Sequence, residues 1–368
     1  MTPPNVIKKI ALFTDIHHGR RGNERLHNQD CLDYINWFCD LVRQQGDVTH
    51  IAFLGDWFES RSAINIETLD FSYRALKLID ELDLPVFFIV GNHDLHRRTT
   101  RDVHSVRMFN ELKNFTVVDQ PIVVDNCVFS PFLFDAEYGS LLPHNDKYAW
   151  FGHFEFKGFA ITGYNTIMDH GPDHKLFNGP KKIFSGHFHK RQIMDNVIYI
   201  GNTFPMDHGD AGDFKRGAAI YTTATDHVEF IDWNDAPTYY KTNLSNVMEL
   251  LESGRPLPFK PKMKVKCVVD TEVEYTVAQD LREEMVAAYK LRDFILEEDR
   301  ATKQGLIEGA TAAVDEVYDE DFNSIDELVV KQLELALKDK AMENKYDAKL
   351  MIEIYKSIKI DELAKDTK

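Results

Sequence analysis

The sequence has few cysteines, no long apolar run and a deficit of positive charge. Its 368 residues include only four cysteines, Cys31, Cys39, Cys127 and Cys267. None of them has the CxxC spacing of a zinc or redox site, so we expect reduced, packed thiols that bind no metal. No apolar stretch approaches the ~20 residues of a membrane span, and the first residues lack the apolar region of a signal peptide. These absences predict a cytoplasmic protein.

The charge balance argues against a polyanionic partner unless the charges are unevenly distributed. Acidic residues outnumber basic residues by 60 to 43, and the formal net charge is −17. Most of the excess lies after residue 270. The first 269 residues are therefore much closer to neutral, and a local basic surface there is compatible with the composition.

Five short blocks contain residue types that bind metals. They are Asp15-Ile16-His17, Gly55-Asp56, Gly91-Asn92-His93-Asp94, Gly152-His153 and Gly186-His187-Phe188-His189. Carboxylate and amide oxygens combined with imidazole nitrogens suit transition metals better than an all-oxygen cage would. Three of the blocks follow apolar runs of strand length at 9–14, 48–54 and 86–90, and helical spacing at 30–45 and 66–82 separates these runs. The pattern predicts a parallel α/β sheet with the ligands on loops at its carboxyl ends.

In this order, the motifs DxH, GD, GNHD, GH and GHxH resemble the calcineurin-like metallophosphoesterases over about the first two thirds of the chain. The resemblance implies an α/β fold, a β-sandwich flanked by helices, with a two-metal site. It assigns Asp15, His17 and His189 to one metal, Asn92, His153 and His187 to the other, and Asp56 to both. It also implies that a metal-bound hydroxide hydrolyses the phosphodiester. His93 would be the catalytic histidine that assists the leaving group, and Asp94 would orient its ring.

Further motifs point to one subgroup of this family. GDxF, GNHD, GHFH and the later Tyr199-Ile200-Gly201-Asn202 are similar to the SbcD-type DNA double-strand-break repair nucleases, especially phage and bacterial versions. This implies a homodimeric exonuclease and endonuclease of DNA repair and recombination, cytoplasmic in the host if phage-encoded. Two Mn²⁺ ions are expected, with Fe²⁺, Zn²⁺ or Mg²⁺ as alternatives. Glu59 stands where archaeal and eukaryotic relatives carry a histidine linked to exonuclease action; bacterial relatives often have an acidic residue there, and Glu59 could equally be a solvated loop residue.

Basic residues recur beside the ligand blocks. Those predicted to bind DNA are Arg20, Arg21, Arg97, Arg98, Lys190 and Arg191, with Arg25, Arg101, Lys215 and Arg216 nearby. Most arginines and lysines in polar loops are ordinary solubility charges, so this interpretation depends on their recurrence beside the blocks.

Four segments are expected along the chain. The nuclease domain covers 1–255, a small α+β DNA-capping domain covers 256–302, a flexible acidic linker covers 303–323 and a helical segment covers 324–368. The capping domain begins in the Pro-rich linker 252–261, with a strand at 262–269 and a helix at 277–298. In the family, similar C-terminal helices bind an SMC-like ABC ATPase of the SbcC type. The alternative is that these helices pack on the chain's own core.

Two other functions stay open on the sequence alone. One is a phosphodiesterase that acts on a small nucleotide, which would need neither a capping domain nor C-terminal helices. The other is a weakly active dimeric scaffold that recruits the ATPase. The family resemblance places the dimer contact in the catalytic domain, where 66–82 and 103–112 are the candidate contributors.

Overall fold

The computed structural model describes residues 6–161, 166–271, 273 and 275–298. The predicted linker and C-terminal helical segment, 303–368, lie outside the described residues. None of the helices in the described part is long and apolar enough to cross a membrane.

The first of two six-stranded sheets carries three of the ligand blocks. Its strands are β1 (Lys9–Phe13), β2 (His50–Phe53), β3 (Val86–Ile89), β6 (Phe115–Val118), β13 (Gly217–Thr222) and β14 (His227–Asp232). They are ordered β14-β13-β1-β2-β3-β6. The neighbours β1, β2, β3 and β6 run parallel as predicted, whereas β13 and β14 pair antiparallel, so the sheet is mixed.

The second six-stranded sheet carries the other two blocks. Its strands are β7 (Ile122–Val124), β8 (Cys127–Ser130), β9 (Ala149–Gly152), β10 (Lys182–Ser185), β11 (Gln192–Met194) and β12 (Val197–Tyr199). They are ordered β11-β12-β10-β9-β8-β7, with β9 and β10 parallel. A two-stranded hairpin, β4 (Leu95–Arg97) and β5 (Thr100–His104), follows the third ligand block directly.

The helices are α1 (Arg20–Asn23), which is a single turn, α2 (Arg25–Gln45), α3 (Ile66–Asp80), α4 (Leu244–Glu252) and α5 (Tyr275–Tyr289). Short 3₁₀ segments lie at 107–111, 135–144, 174–177, 208–210 and 223–225. The Asn65 side chain accepts a hydrogen bond from Glu67 N at 2.8 Å and so caps the start of α3. Gly46, in the left-handed region at φ 69°, ends α2.

Three apolar layers hold this part of the fold together. Leu12, Ala52 and Ile89 on the first sheet share a buried cluster with Phe151 and Phe184 on the second. The alternate side chains of the first sheet, including Phe13 and Phe53, pack with α2 and α3. The alternate side chains of the second sheet, including Trp150 and Ile183, pack with the 3₁₀ segments. The expected β-sandwich flanked by helices is confirmed.

A three-stranded sheet follows, formed by β15 (Thr238–Asn243), β16 (Met263–Val269) and β17 (Asp293–Glu298) with its own apolar core. Its first strand precedes the predicted boundary at 256, which stays a proposal. The predicted helix at 277–298 is wrong in its second half: α5 ends at Tyr289 and β17 follows. Phe294 is buried while Ile295 is exposed, which is the alternation of a strand.

Candidate metal centre

The loops after five strands bring the ligand blocks together. Asp15 follows β1, Asp56 follows β2 and Asn92 follows β3; His153 follows β9 and His187 follows β10. Because β1, β2 and β3 are parallel, their carboxyl ends lie at one edge of the first sheet, where the ends of β9 and β10 meet them.

The first group of ligand atoms comes from Asp15, His17 and His189. His17 Nε2 lies 3.2 Å from His189 Nε2 and 3.8 Å from Asp15 Oδ1. His189 Nε2 lies 4.0 Å from the same Asp15 oxygen. These three side chains are those that the family resemblance gives to one metal.

The second group is built around Asn92. Its Oδ1 lies 2.9 Å from His153 Nε2 and 3.1 Å from His187 Nδ1. The Asp56 Oδ2 atom is 3.3 Å from His153 Nε2 and 3.8 Å from His17 Nε2, so one carboxylate oxygen lies between the two groups. This is the place expected of a ligand shared by two metals.

The chemistry of this donor set fits two divalent cations. His17 and His189 direct two ring nitrogens at each other, and the Asn92 oxygen faces two more ring nitrogens. Burial and the neighbouring His17 hold the pKa of His189 well below its ordinary value, so its ring is neutral and can act as a ligand. Asp15 and Asp56 are almost fully buried, and buried carboxylates need a cation or hydrogen-bond donors.

Four of the candidate ligands have a strained backbone. Asp15, His17, Asp56 and His187 have φ values of 50°, 49°, 63° and 86°, which L-residues rarely adopt. Such strain accumulates where the surrounding structure fixes a functional geometry.

The structure corrects the predicted role of Asp94. Its carboxylate accepts hydrogen bonds from the main-chain N–H groups of Asp56, Trp57, Phe58 and Gly91, at 2.9 to 3.2 Å. Burial and the nearby charge of Asp56 raise the pKa of Asp94 to about 7. Asp94 therefore joins the second and third ligand loops, and it does not orient the His93 ring.

The His93 ring is oriented by the main chain instead. Its Nδ1 lies 2.9 Å from the carbonyl oxygen of Glu59, and its main-chain N–H donates to Asp56 Oδ1 at 2.8 Å. A carbonyl oxygen only accepts, so Nδ1 carries the proton. This contact leaves Nε2 as the ring atom available to a substrate.

Glu59 is not a plain solvated loop residue. One carboxylate oxygen lies 2.8 Å from His17 Nδ1, and Arg20 Nη1 lies 3.2 and 3.3 Å from the two oxygens. Burial opposes the negative charge, but Arg20 and His17 outweigh it and hold the pKa of Glu59 well below its usual range. Glu59 is therefore a charged member of the site.

The six predicted DNA contacts have different environments. Arg20 bridges Glu59 and Asp207, Arg21 donates to the Met206 carbonyl oxygen, and Arg191 lies 2.8 Å from Asp232. Arg97 is exposed on the β4–β5 hairpin, while Arg98 and Lys190 are half-buried. Of the nearby basic residues, Arg216 is buried against Asp210 and Asp213, so the structure does not place it on a DNA-binding rim.

Sequence reasoning missed Glu155. One of its oxygens lies 2.9 Å from His187 Nε2, and the other lies 3.4 Å from His170 Nε2. The only signal in the sequence is its position two residues after His153.

Comparisons of the sequence with known proteins found two matches. The family model of the calcineurin-like phosphoesterases matches residues 8–191, half of the chain. Exonuclease subunit 1 of Enterobacteria phage T4 is 30% identical over 234 residues, which are 61% of this chain and 68% of that protein.

Two solved structures are also similar. A dimetal phosphatase from Danio rerio has a TM-score of 0.35 at 11% identity, covering 59% of this chain and 93% of that one. The nuclease MPE from Pseudomonas putida has a TM-score of 0.28 at 15% identity, covering 60% and 87%.

Proposed function

The chain belongs to the calcineurin-like phosphoesterase family, and from this premise we propose that it is a Mn²⁺-dependent DNA exonuclease and endonuclease. It would act as one subunit of an ATPase–nuclease complex in DNA double-strand-break repair and recombination. The observation that carries the proposal is the 30% identity with a phage exonuclease subunit over 61% of the chain. The two groups of ligand atoms at the strand ends support it.

Seven side chains would hold two ions. Asp15, His17 and His189 would bind the first, Asn92, His153 and His187 the second, and Asp56 both. Bound there, the ions would activate a water and neutralise charge on the phosphodiester. Mixed oxygen and imidazole donors favour Mn²⁺, with Fe²⁺, Zn²⁺ or Mg²⁺ as alternatives.

His93 would provide the proton for the leaving oxygen. With Nδ1–H donated to the Glu59 carbonyl oxygen, the protonated ring carries its transferable proton at Nε2. The hydrogen bonds of Asp94 to the second and third ligand loops keep His93 in register with Asp56. Asp94 thus supports catalysis without touching the substrate.

DNA would approach along the β4–β5 hairpin and the loop after β10. Arg97 is exposed on this hairpin, three residues beyond Asp94, and Arg98 is its neighbour. Lys190 directly follows the candidate ligand His189. Cations in these positions would neutralise phosphates on either side of the cleaved bond.

The remaining expectations concern partners. Exposed apolar side chains on α3 support a homodimer. The proposed contact with an SMC-like ABC ATPase lies in 324–368, outside the described residues. The proposed compartment is the cytoplasm, that of the host if the protein is phage-encoded.

The test is degradation of end-labelled duplex and single-stranded DNA in Mn²⁺, with and without the ATPase. His93→Ala should lower the rate by about 10²- to 10⁴-fold because the leaving group loses its proton donor. Metal content should not change. His96→Ala is the matched control, since His96 is exposed three residues away and is not a candidate ligand.

Other outcomes would replace the proposal. A wild-type protein that binds two metals and cleaves cyclic nucleotides but not DNA is a small-nucleotide phosphodiesterase. One that binds two metals but cleaves neither DNA nor bis-p-nitrophenyl phosphate is a scaffold for the ATPase.

A further inference from the structure

Two carboxylates outside the seven candidate ligands contact ligand histidines. Glu59 Oε2 lies 2.8 Å from His17 Nδ1, and Glu155 Oε2 lies 2.9 Å from His187 Nε2. A third ligand histidine, His153, also has an acceptor on its outer ring nitrogen. Its Nδ1 lies 2.7 Å from the carbonyl oxygen of Leu54. Charged acceptors thus occur at two of these rings and a neutral one at the third.

The two carboxylates favour opposite tautomers, through an ion-pair contact at His17 and a hydrogen bond at His187. An ionised carboxylate only accepts, so the ring nitrogen facing it carries a proton and the other nitrogen presents its lone pair. For His17 the lone pair is on Nε2, which faces His189 and Asp15. For His187 it is on Nδ1, which lies 3.1 Å from Asn92 Oδ1. Each carboxylate therefore directs a lone pair into a different ligand group.

The surroundings of the two carboxylates also differ. Glu59 is paired with Arg20, whose Nη2 in turn lies 2.8 Å from Asp207 Oδ2. Glu155 has a histidine on its outer side, and the His170 side chain is 65% exposed. Both carboxylates are partly exposed, at 28% for Glu59 and 22% for Glu155, so they differ in their charged neighbours and not in their access to solvent.

We propose that Glu59 and Glu155 are positioning residues, one for each metal. Glu59 strengthens the site formed by Asp15, His17 and His189, and Glu155 strengthens the site formed by Asn92, His153 and His187. A carboxylate on the far nitrogen of a ligand histidine fixes its orientation and raises its basicity toward the metal. Neither residue touches the substrate. The inference rests on the two-metal site proposed above, but it does not depend on DNA being the substrate.

A direct ligand role for Glu59 is the rival explanation. The ligand atoms of His17, Glu59 and His93 lie within 4.8 Å of one another. The His17 nitrogen nearest Glu59 is Nδ1, at 2.8 Å, whereas Nε2 faces His189 and Asp15. The rival therefore predicts an additional metal, whereas the positioning role predicts two.

The experiment is calorimetric titration of metal-free protein with Mn²⁺, repeated with Co²⁺ to record its visible spectrum. His189→Ala and His153→Ala assign the binding steps and absorption bands to the first and second sites. Glu59→Gln should weaken the first site by roughly 10- to 100-fold and leave the second unchanged. Glu155→Gln should do the reverse, so each variant is the control for the other.

A graded series separates positioning from a general folding defect. Glutamine keeps an oxygen acceptor and loses the charge, whereas alanine loses both, so Glu59→Ala should weaken the first site more than Glu59→Gln. Thermal unfolding of the metal-free variants shows whether each is folded. A folded variant that weakens both sites equally, or neither, overturns the proposal; so does wild-type binding of a third ion that Glu59→Ala abolishes. If the two variants each weaken a different site but the wild-type protein cleaves no DNA, the positioning roles stand and only the nuclease function is refuted.

Discussion

Gly91 in the third ligand block has no side chain, and Asp56 of the second block occupies the space where one would lie. A Cβ atom on Gly91 would lie 2.2 Å from Asp56 Oδ1 and 2.3 Å from the main-chain nitrogen of Asp56. Both distances are far below van der Waals contact. Because one of the two atoms belongs to the main chain, a side-chain rotation cannot relieve the overlap. The close approach of Gly91 to Asp56 thus sets the spacing between two ligand loops.

Gly91→Ala should lower the free energy of unfolding by about 1 to 3 kcal/mol, the usual cost of overpacking. It should also weaken Mn²⁺ binding, because the loop that carries Asp56 has to move. Chemical denaturation of the metal-free protein and calorimetric titration measure the two effects. The matched control is Gly139→Ala, since nothing lies within 4 Å of a Cβ placed there. Equal behaviour of the two variants would show that the loops tolerate the added methyl group.

At this scale the sequence predicted which side chains meet and missed how they are oriented. The family resemblance grouped Asp15 with His17 and His189, and these three side chains lie together in the structure. The partners of Asp94 are main-chain N–H groups, and residue types carry no information about those. Glu155 reaches His187 across 32 positions, a distance in sequence over which no local pattern extends.

The spacing of apolar residues predicted the strands and helices in which only one period, that of a strand or that of a helix, fits the sequence. The runs before the first three blocks became β1, β2 and β3, and helical spacing located α2 and α3. The helical spacing of 277–298 includes the segment 293–298, because its apolar residues suit both periods over so short a length. Its pairing in the three-stranded sheet decided the outcome, and Lys290, at φ 53°, interrupts the helix before it.

We expect DNA binding to depend on the β4–β5 hairpin more than on any other described element. Arg97→Glu with Arg98→Glu should weaken duplex binding and reduce the slope of log affinity against log salt concentration by up to ~2, or ~0.9 per phosphate contact. Hydrolysis of bis-p-nitrophenyl phosphate should be unchanged, because that ester is too small to reach the hairpin. Fluorescence anisotropy at several salt concentrations measures the affinity.

The matched control for the hairpin variant is Arg43→Glu with Lys113→Glu. Both residues are exposed and precede β2 and β6 in sequence, which places them near the amino ends of these strands, away from the ligand loops. The control should change the net charge equally and alter DNA affinity much less. Similar losses in both variants would mean that overall charge, rather than the hairpin, governs binding.

On the scale of the whole molecule, α3 presents two unlike faces. Phe71, Ala75 and Ile79 are buried against the first sheet and α2. Ile66, Leu69 and Tyr73 recur at intervals of three and four residues on the opposite face and are 85%, 40% and 59% exposed. An apolar stripe of this kind is typical of a protein contact, and it coincides with the segment that sequence resemblance gave to the homodimer.

Tyr73→Glu should therefore convert a dimer to a monomer, because a symmetric contact would bring two carboxylates into one apolar interface. Sedimentation velocity over a range of concentrations measures the change. Ile193→Glu is the control, since Ile193 is also 59% exposed but lies on β11 of the second sheet. Both variants should keep the wild-type melting temperature at low concentration. A wild type that sediments as a monomer at every concentration would remove the homodimer from the proposal. A Tyr73→Glu protein that still dimerises would move the contact to another surface.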